Sequence, residues 1–206
     1  FGFLLERRAP RDRETFVTDI TGNVAPATSS VLREAGNRVI AVGPVTYAYD
    51  AKGRVTRRTL TGPGVPARTW TYEWTAAGQI ASARCPDGKV VHYVYDALGR
   101  RVKKRGSDGT DVTFVWEGDT LAAEIRRAPS GEEKVRTFLF HEVDAFRPVA
   151  QHEDGVWFDV ATTPIGTPTE LVDDSGEIAW SLETRAFGAP LREVRTRASS
   201  PFRFPD

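Results

Sequence analysis

Apolar and polar residues alternate along most of this chain. Val45, Tyr47 and Tyr49 are separated by Thr46 and Ala48; Trp70, Tyr72 and Trp74 by Thr71 and Glu73. Val91, Tyr93 and Tyr95 follow the same rule, as do Val112, Phe114 and Trp116. Successive side chains of a strand point to opposite faces, so a period of two predicts β-strands with one aromatic and one more polar face. Two of these strands run directly into Asp50-Ala-Lys-Gly53 and Asp96-Ala-Leu-Gly99. An Asp at the first turn position can accept a hydrogen bond from the backbone two residues on. The Gly supplies the positive φ that a type I turn plus bulge requires. Pro86-Asp87-Gly88, Ser107-Asp108-Gly109, Pro129-Ser130-Gly131, Glu153-Asp154-Gly155 and Asp174-Ser175-Gly176 mark further turns, and glycines at 78, 88, 99, 109 and 118 leave room for one strand each. The prediction is all-β: a long antiparallel meander of short strands. No convincing helix is predicted anywhere, and residues 29–35 are the best candidate for a single helical turn.

Three of these stretches are versions of one another: Tyr47-Ala-Tyr-Asp-Ala-Lys-Gly-Arg-Val55, Tyr72-Glu-Trp-Thr-Ala-Ala-Gly-Gln-Ile80 and Tyr93-Val-Tyr-Asp-Ala-Leu-Gly-Arg-Arg101. Phe114-Val-Trp-Glu-Gly-Asp-Thr-Leu121 keeps the aromatic pair. Such a period signals an array whose units bury their apolar faces by stacking on neighbours. The regular spacing of the rings predicts that they pack on equivalent rings of adjacent strands, each pair contributing about 0.2–1 kcal/mol. The competing reading is a platform for bases or sugars. An open sheet of this length has edges that must be curled away, covered or extended by more strands.

The 206 residues include no Met, one Cys, 18 Gly and 13 Pro, and no apolar run is long enough for a membrane helix. The missing Met leads us to expect a piece of a longer protein, and residues 1–6 lack the basic start and apolar run of a signal peptide. Cys85 is read as a small residue beside a turn. The net charge of zero hides a split: residues 51–105 carry 12 Lys/Arg and 3 Asp/Glu, whereas residues 106–206 carry 10 and 19. That asymmetry suits either a nucleic-acid stripe or solvated strand faces; the second is preferred, because the basic residues flank turns or alternate with apolar positions. His92, His141 and His152 are not at metal-ligand spacing. Asp173 and Asp174 suit a turn better than an acid–base pair, and Asp108-Gly-Thr-Asp111 lacks the other ligands of a calcium loop. Arg54 and Arg100 follow turn glycines and can pair with Asp50 and Asp96. No catalytic residue, cofactor or metal site is assigned. The residues singled out, all as structural repeat positions, are Tyr47, Tyr49, Asp50, Gly53, Tyr72, Trp74, Gly78, Tyr93, Tyr95, Asp96, Gly99, Phe114, Trp116, Gly166, Pro168 and Trp180.

The repeats through residues 47–121 resemble the tyrosine-aspartate (YD) repeats of Rhs proteins and of toxin-complex C components. Phe138-Leu-Phe-His141, Phe146-Arg-Pro-Val-Ala150 and Gly166-Thr-Pro-Thr-Glu-Leu-Val-Asp-Asp-Ser-Gly-Glu-Ile-Ala-Trp180 resemble the Rhs core, where a Leu-Gly-Thr-Pro-Arg-Glu-Leu segment precedes a turn and an Ile-x-Trp strand. Phe187-Gly188 and Pro201-Phe-Arg-Phe-Pro205 resemble the segments that come next, whereas residues 1–40 match loosely. One departure is Thr162-Thr-Pro-Ile165, where the family usually carries a Thr-Asp-His-Leu-type stretch. The resemblance divides the chain into loosely matching shell strands over 1–44, YD repeats over 45–137 and a truncated core segment over 138–206. It implies part of a hollow β-shell wound from one spiralling sheet that encloses a C-terminal toxin. The implied partners are the rest of the shell and the toxin, with secretion-spike or chaperone proteins as further classes; the implied location is outside the producing bacterium. Self-cleavage in this family comes from an aspartate pair downstream of the Arg-Phe-Pro motif, so any such activity is expected beyond Asp206. The alternative function is a carbohydrate- or nucleic-acid-binding repeat module of a cell-surface protein.

Overall fold

A computed structural model describes residues 6–9, 12–19, 22–141 and 144–202. The lead over residues 1–5, the Arg203-Phe-Pro205 end of the C-terminal motif, Asp206 and the Phe146 side chain lie outside the described residues. Every described element is a strand. β1 (Glu6–Ala9), β2 (Asp12–Thr18) and β3 (Val24–Pro26) pair in order as a small antiparallel sheet. The others are β4 (Val31–Glu34), β5 (Arg38–Val42), β6 (Val45–Tyr49), β7 (Val55–Gly62), β8 (Val65–Trp74), β9 (Ile80–Arg84), β10 (Val90–Tyr95) and β11 (Arg101–Gly106). They continue with β12 (Asp111–Glu117), β13 (Thr120–Arg127), β14 (Glu133–His141), β15 (Asp144–Glu153), β16 (Val156–Thr162), β17 (Pro168–Asp173), β18 (Ile178–Thr184) and β19 (Pro190–Arg195). These sixteen strands form one sheet whose spatial order is their order in sequence, β4 and β19 being its edges.

The turns explain why the chain doubles back so regularly. Nine fully described hairpins share one five-residue turn, beginning at Asp50, Thr75, Cys85, Asp96, Gly106, Ala128, Thr163, Asp173 and Arg185, and Asp19, Gly22 and Asn23 make the same pair of bonds between β2 and β3. In each, the first residue's amide donates to the carbonyl four residues on, and the glycine amide three residues on donates back to the first residue's carbonyl. This is the type I turn plus glycine bulge that the Asp-x-x-Gly spacing predicts. Gly53 shows why the glycine is needed: at φ +79° the backbone disfavours any Cβ, although space around it is open. The turn between β15 and β16 is tighter. Asp154 and Gly155 hold φ of 51° and 82° while Glu153 sits opposite Val156, the two-residue geometry that Asp-Gly favours.

Residues 29–35, the best candidate for a helical turn, form no helix, in keeping with the all-β reading. Val31–Glu34 is strand β4, with Val31 opposite Val42, Leu32 opposite Ala41 and Arg33 opposite Val39. Pairing to β5 overrides the local helix preference of Leu-Arg-Glu.

The residues fall into two compact units, one through His92 and one from Tyr93. In the first, most described strand residues are half-buried, and among the described residues the buried apolar side chains are Phe16, Ala83 and Val91. The second holds a true core made of Phe158 on β16, Leu171 on β17, Ala179, Trp180 and Leu182 on β18, and Ala198 beyond β19. Val160, Leu171 and Trp180 lie opposite one another across successive strands, so one face carries the core. The chain after β19 covers that face. The amides of Thr196, Arg197 and Ala198 turn to the Ala179 carbonyl at 3.0, 3.2 and 3.4 Å, and the Phe202 ring meets Phe138 edge-on at 4.7 Å. Burying a large apolar side chain stabilises by about 1.5–3 kcal/mol, and Trp180 and Leu171 are fully buried.

Candidate functional site

The aromatic pairs and the turn acids come together in one repeated arrangement. Asp50 Oδ1 accepts from the amides of Lys52 at 2.9 Å and Arg54 at 3.0 Å, and Asp50 Oδ2 accepts from Arg54 Nε at 2.7 Å. Arg54 also donates to the Thr75 carbonyl at 3.0 Å, at the start of the β8–β9 turn. Its guanidinium lies 5.5 Å from the centre of the Trp74 ring, and Trp74 Nε1 donates to the carbonyl of Val55 at 2.8 Å. One acid, one arginine and one indole thus tie a turn to the next turn along the same rim.

The second copy repeats these contacts. Asp96 accepts from the amides of Leu98 and Arg100, each at 2.9 Å, and from Arg100 Nε at 2.7 Å. Arg100 donates to the Gly118 carbonyl and lies 5.9 Å from the Trp116 ring centre, while Trp116 Nε1 donates to the Arg101 carbonyl at 2.9 Å. A third copy joins residues before the first repeat to that repeat's Tyr49. Glu34 pairs with Arg38 at 3.3 Å, Arg38 lies 5.2 Å from the Tyr49 ring centre, and the Tyr49 hydroxyl donates to the Val39 carbonyl. In all three an acid precedes the arginine by four residues, and the carbonyl just after the arginine receives the polar tip of the ring. We call this arrangement a latch. At the β8–β9 turn, Thr75 and Gln79 occupy the acid and arginine positions, and the Gln79 amide donates to Thr75 Oγ1 at 3.2 Å.

The electrostatics follow from these bonds. Hydrogen bonds from the Arg54 backbone and side chain hold the Asp50 carboxyl below the usual range. At Asp96 burial opposes ionisation, but the bonds from Arg100 and Leu98 outweigh it and the pKa is again lowered. Burial pushes the Tyr49 and Tyr72 phenols up.

The rings are half-buried, and arginines close on several of them. Among the described residues, the ring contacts that close on Tyr49, Trp70, Trp74 and Trp116 come from arginines, not from equivalent rings. Arg58 and Arg68 both lie over Trp70, at 4.5 and 5.3 Å, and Arg101 lies over Tyr93 at 4.7 Å. Neighbouring strands bring arginine to the aromatic face, as where Arg58 lies directly opposite Trp70, and a guanidinium over an indole is worth about 0.5–1 kcal/mol at exposed sites. Tyr47, Tyr72, Tyr95 and Phe114 share this half-buried, alternating pattern, and Gly78 and Gly99 hold positive φ in their turns.

In the second unit, Gly166 closes the turn that begins at Thr163, Pro168 is fully buried, and Trp180 Nε1 donates to Glu193 Oε1 at 2.8 Å. Nearby, Arg136 forks onto Glu153 at 3.1 and 2.8 Å, faces Glu124 at 3.6 Å and donates to Ser199 Oγ at 3.1 Å. Gln151, 1% exposed, donates to the Ser199 carbonyl at 3.1 Å. These bonds pin the segment after β19 to β14 and β15. Sequence reasoning passed over them, since no periodicity links residue 136 to residue 199.

The remaining polar candidates stay apart. His92 and His141 are exposed, and His152 packs on Trp157 at 4.9 Å. Among the described residues no three His, Cys, Asp or Glu side chains gather as a metal site. Cys85 begins a turn. Asp173 is a turn acid: the Ser175 hydroxyl at 2.6 Å, the amides of Glu177 and Ser175 and the Arg197 guanidinium lower its pKa to about 2. Asp108 accepts from the Thr110 amide at 3.1 Å, and Asp111 pairs with Lys103 at 3.2 Å.

Three comparisons bear on this arrangement. The family model described as teneurin YD-shell matches residues 2–204. The chain is 28% identical over 159 residues, 75% of its length, to a protein of Dickeya dadantii named probable deoxyribonuclease RhsB. It is 27% identical over 240 aligned positions, covering 98% of its length, to double-stranded DNA deaminase toxin A of Burkholderia cenocepacia. It is 25% identical over 178 residues to mouse teneurin-4, covering 82% of its length. The chain spans only 11%, 16% and 6% of these relatives. Among solved structures, the crystal structure of TcdB2-TccC3 without its hypervariable C-terminal region shares the fold, with a TM-score of 0.50 at 11% identity over 93% of this chain and 11% of that one.

Proposed function

The chain belongs to the teneurin YD-shell family, and from that premise we propose that it is a wall segment of a shell that encloses and delivers a toxin. The observation that carries this reading is the sheet itself. Sixteen strands pair strictly with their sequence neighbours, and the latches spend the conspicuous acids, arginines and indoles on holding turns together. A wall works by excluding macromolecules, which requires continuous hydrogen bonding and covered turns but no reacting group. One relative is named a probable deoxyribonuclease and another a double-stranded DNA deaminase toxin, and the chain spans a small part of each, which supports a carrier role for this portion and an activity residing elsewhere in such proteins. The edges β4 and β19 suit continuation by further shell strands. On this reading the 45–137 repeats and the 138–206 segment are parts of one wall, the repeat tyrosines, aspartates and glycines serve assembly alone, and export from the producing cell follows from the delivery role.

The alternative of a sugar- or base-stacking module is weakened by the arginines that already cover Trp70, Trp74 and Trp116. The test is protease protection. The longer gene product containing this segment should shield its cargo domain from protease, and the cargo expressed alone should be cut. Equal cutting of the two sinks the enclosure reading, whereas salt-dependent binding of this chain to DNA or glycans revives the alternative.

A further inference from the structure

The second unit contains a cavity of about 340 Å³, beside the latch of Arg100 and below the segment that follows β19. That volume lies in the range of small-molecule sites. Its lining is strongly unbalanced in charge: Arg101, Lys104, Arg126, Arg136 and Arg195 face it, with Glu124 as the single acid. Arg136 and Glu124 answer each other at 3.6 Å, Arg136 is also forked onto Glu153, and Arg195 pairs with Glu193 at 2.9 Å. Arg101 and Arg126 have no carboxylate partner among the described residues. The register sharpens the point for Arg126, whose cross-strand neighbours are Val112 and Lys134, one apolar and one of like charge.

Like charges gathered in a concave, partly enclosed place repel one another more than on an open surface, and a concave basic site focuses its field on an anion. Guanidinium forks match carboxylate and phosphate oxygens two at a time. Phe114 and Pro201 add apolar wall beside the cations, and the Ser199 position in the lining is anchored by Arg136 and Gln151, so that side of the cavity is held in place before any ligand arrives.

We infer that this cavity is a binding site for a small oxyanion carrying two or more negative charges, a phosphate ester or a polycarboxylate, gripped chiefly by Arg101 and Arg126. The test is calorimetric titration of the full chain at low salt with pyrophosphate and, in parallel, citrate. Saturable one-to-one binding of at least one probe is expected, weakening as salt rises. Arg126→Gln and Arg101→Gln should each weaken it tenfold or more, Arg126→Lys should retain part of it, and Arg57→Gln, an exposed arginine of the other unit, should leave it unchanged. The tighter probe assigns phosphate or carboxylate chemistry. Absence of binding to both probes overturns the inference, as does binding that Arg57→Gln weakens as much as Arg126→Gln does, which is general attraction to basic surface. Circular dichroism of each variant separates a lost site from a lost fold. None of these outcomes depends on whether the chain walls in a toxin.

Discussion

The repeats and the β16–β19 region are built from the same strands and turns yet are held together differently. Around Trp180 the segment after β19 lies over one face of the sheet, and its Ala198 joins a core of Phe158, Leu171 and Leu182. Along β5 to β8 and β10 to β12 the aromatic residues stay half-buried, and arginines, carboxylates and backbone carbonyls tile over them. A sheet face therefore has two routes to stability: burial beneath a lid, which is strong and local, or many weak polar contacts repeated at every turn.

The first way to break this contrast is Trp180→Ala. Emptying a fully buried tryptophan site should cost about 4 kcal/mol, seen as early loss of amide-exchange protection in β16 to β18. Trp74→Ala should cost about half that, because the ring is half-exposed and its neighbours are solvent-tolerant guanidiniums. Equal costs for the two would erase the distinction.

Next comes Arg136→Leu, which strands the Glu124 and Glu153 carboxylates, 12% and 15% exposed, without their cation. A loss of about 3 kcal/mol and release of the segment after β19 to limited proteolysis are expected. An unchanged cleavage pattern would show that the Gln151, Phe202 and Ala179 contacts suffice to pin that segment.

A latch should be worth less. Asp96→Ala removes the acceptor of two amides and a guanidinium, and should lower stability by less than Arg136→Leu does, read as faster exchange at the β10–β11 turn. Thr75→Ala, at the turn without an acid–arginine pair, should cost about 0.5 kcal/mol. If Thr75→Ala proves the worse of the two, the latch is not what holds the rim.

The smallest effect is on pH. The folded Asp173 has a pKa of about 2, below the roughly 3.9 of an unfolded aspartate. Its ionised form is favoured by folding, so its contribution is full above about pH 4 and is lost as pH falls through about 2. Asp173→Asn should flatten the acid limb of the stability curve between those values, because it lowers stability at pH 7, where the ionised contribution is full, and leaves stability below about pH 2 nearly unchanged.

Much of this construction is legible in the primary structure. Alternation placed the strands because one face of each differs chemically from the other, and Asp50 and Gly53 announced their turn through local geometry alone. The pairing of Arg54 with Asp50 was legible for the same reason. The Glu34–Arg38 copy was open to view in the same four-residue spacing, without the tyrosine-aspartate signature to draw attention to it. What stayed hidden depends on register. Arg58 meets Trp70, and Arg100 reaches the Gly118 carbonyl, only once strand lengths and bulges are set. Val31–Glu34 misled because its helix-tolerant residues say nothing of the partner strand that claims them. The covering segment was least legible, since Ala198, Ser199 and Phe202 follow no period at all.

The strictly sequential order of the sheet has a mechanical side. No strand from β4 to β19 is wedged between partners distant in the chain, so a pull on either end detaches one hairpin while the rest remain bonded. From the C-terminal side the segment over Ala179 must lift first; after that the chain unzips strand by strand. The reverse path is equally short. A chain emerging from a narrow channel adds each strand to the edge just laid down, closing only a small loop each time, which keeps its topology fast to form. Such a sheet can be laid down or peeled away one strand at a time, and the segment after β19, held at β14 and β15, is the part that must reach back to a distant partner.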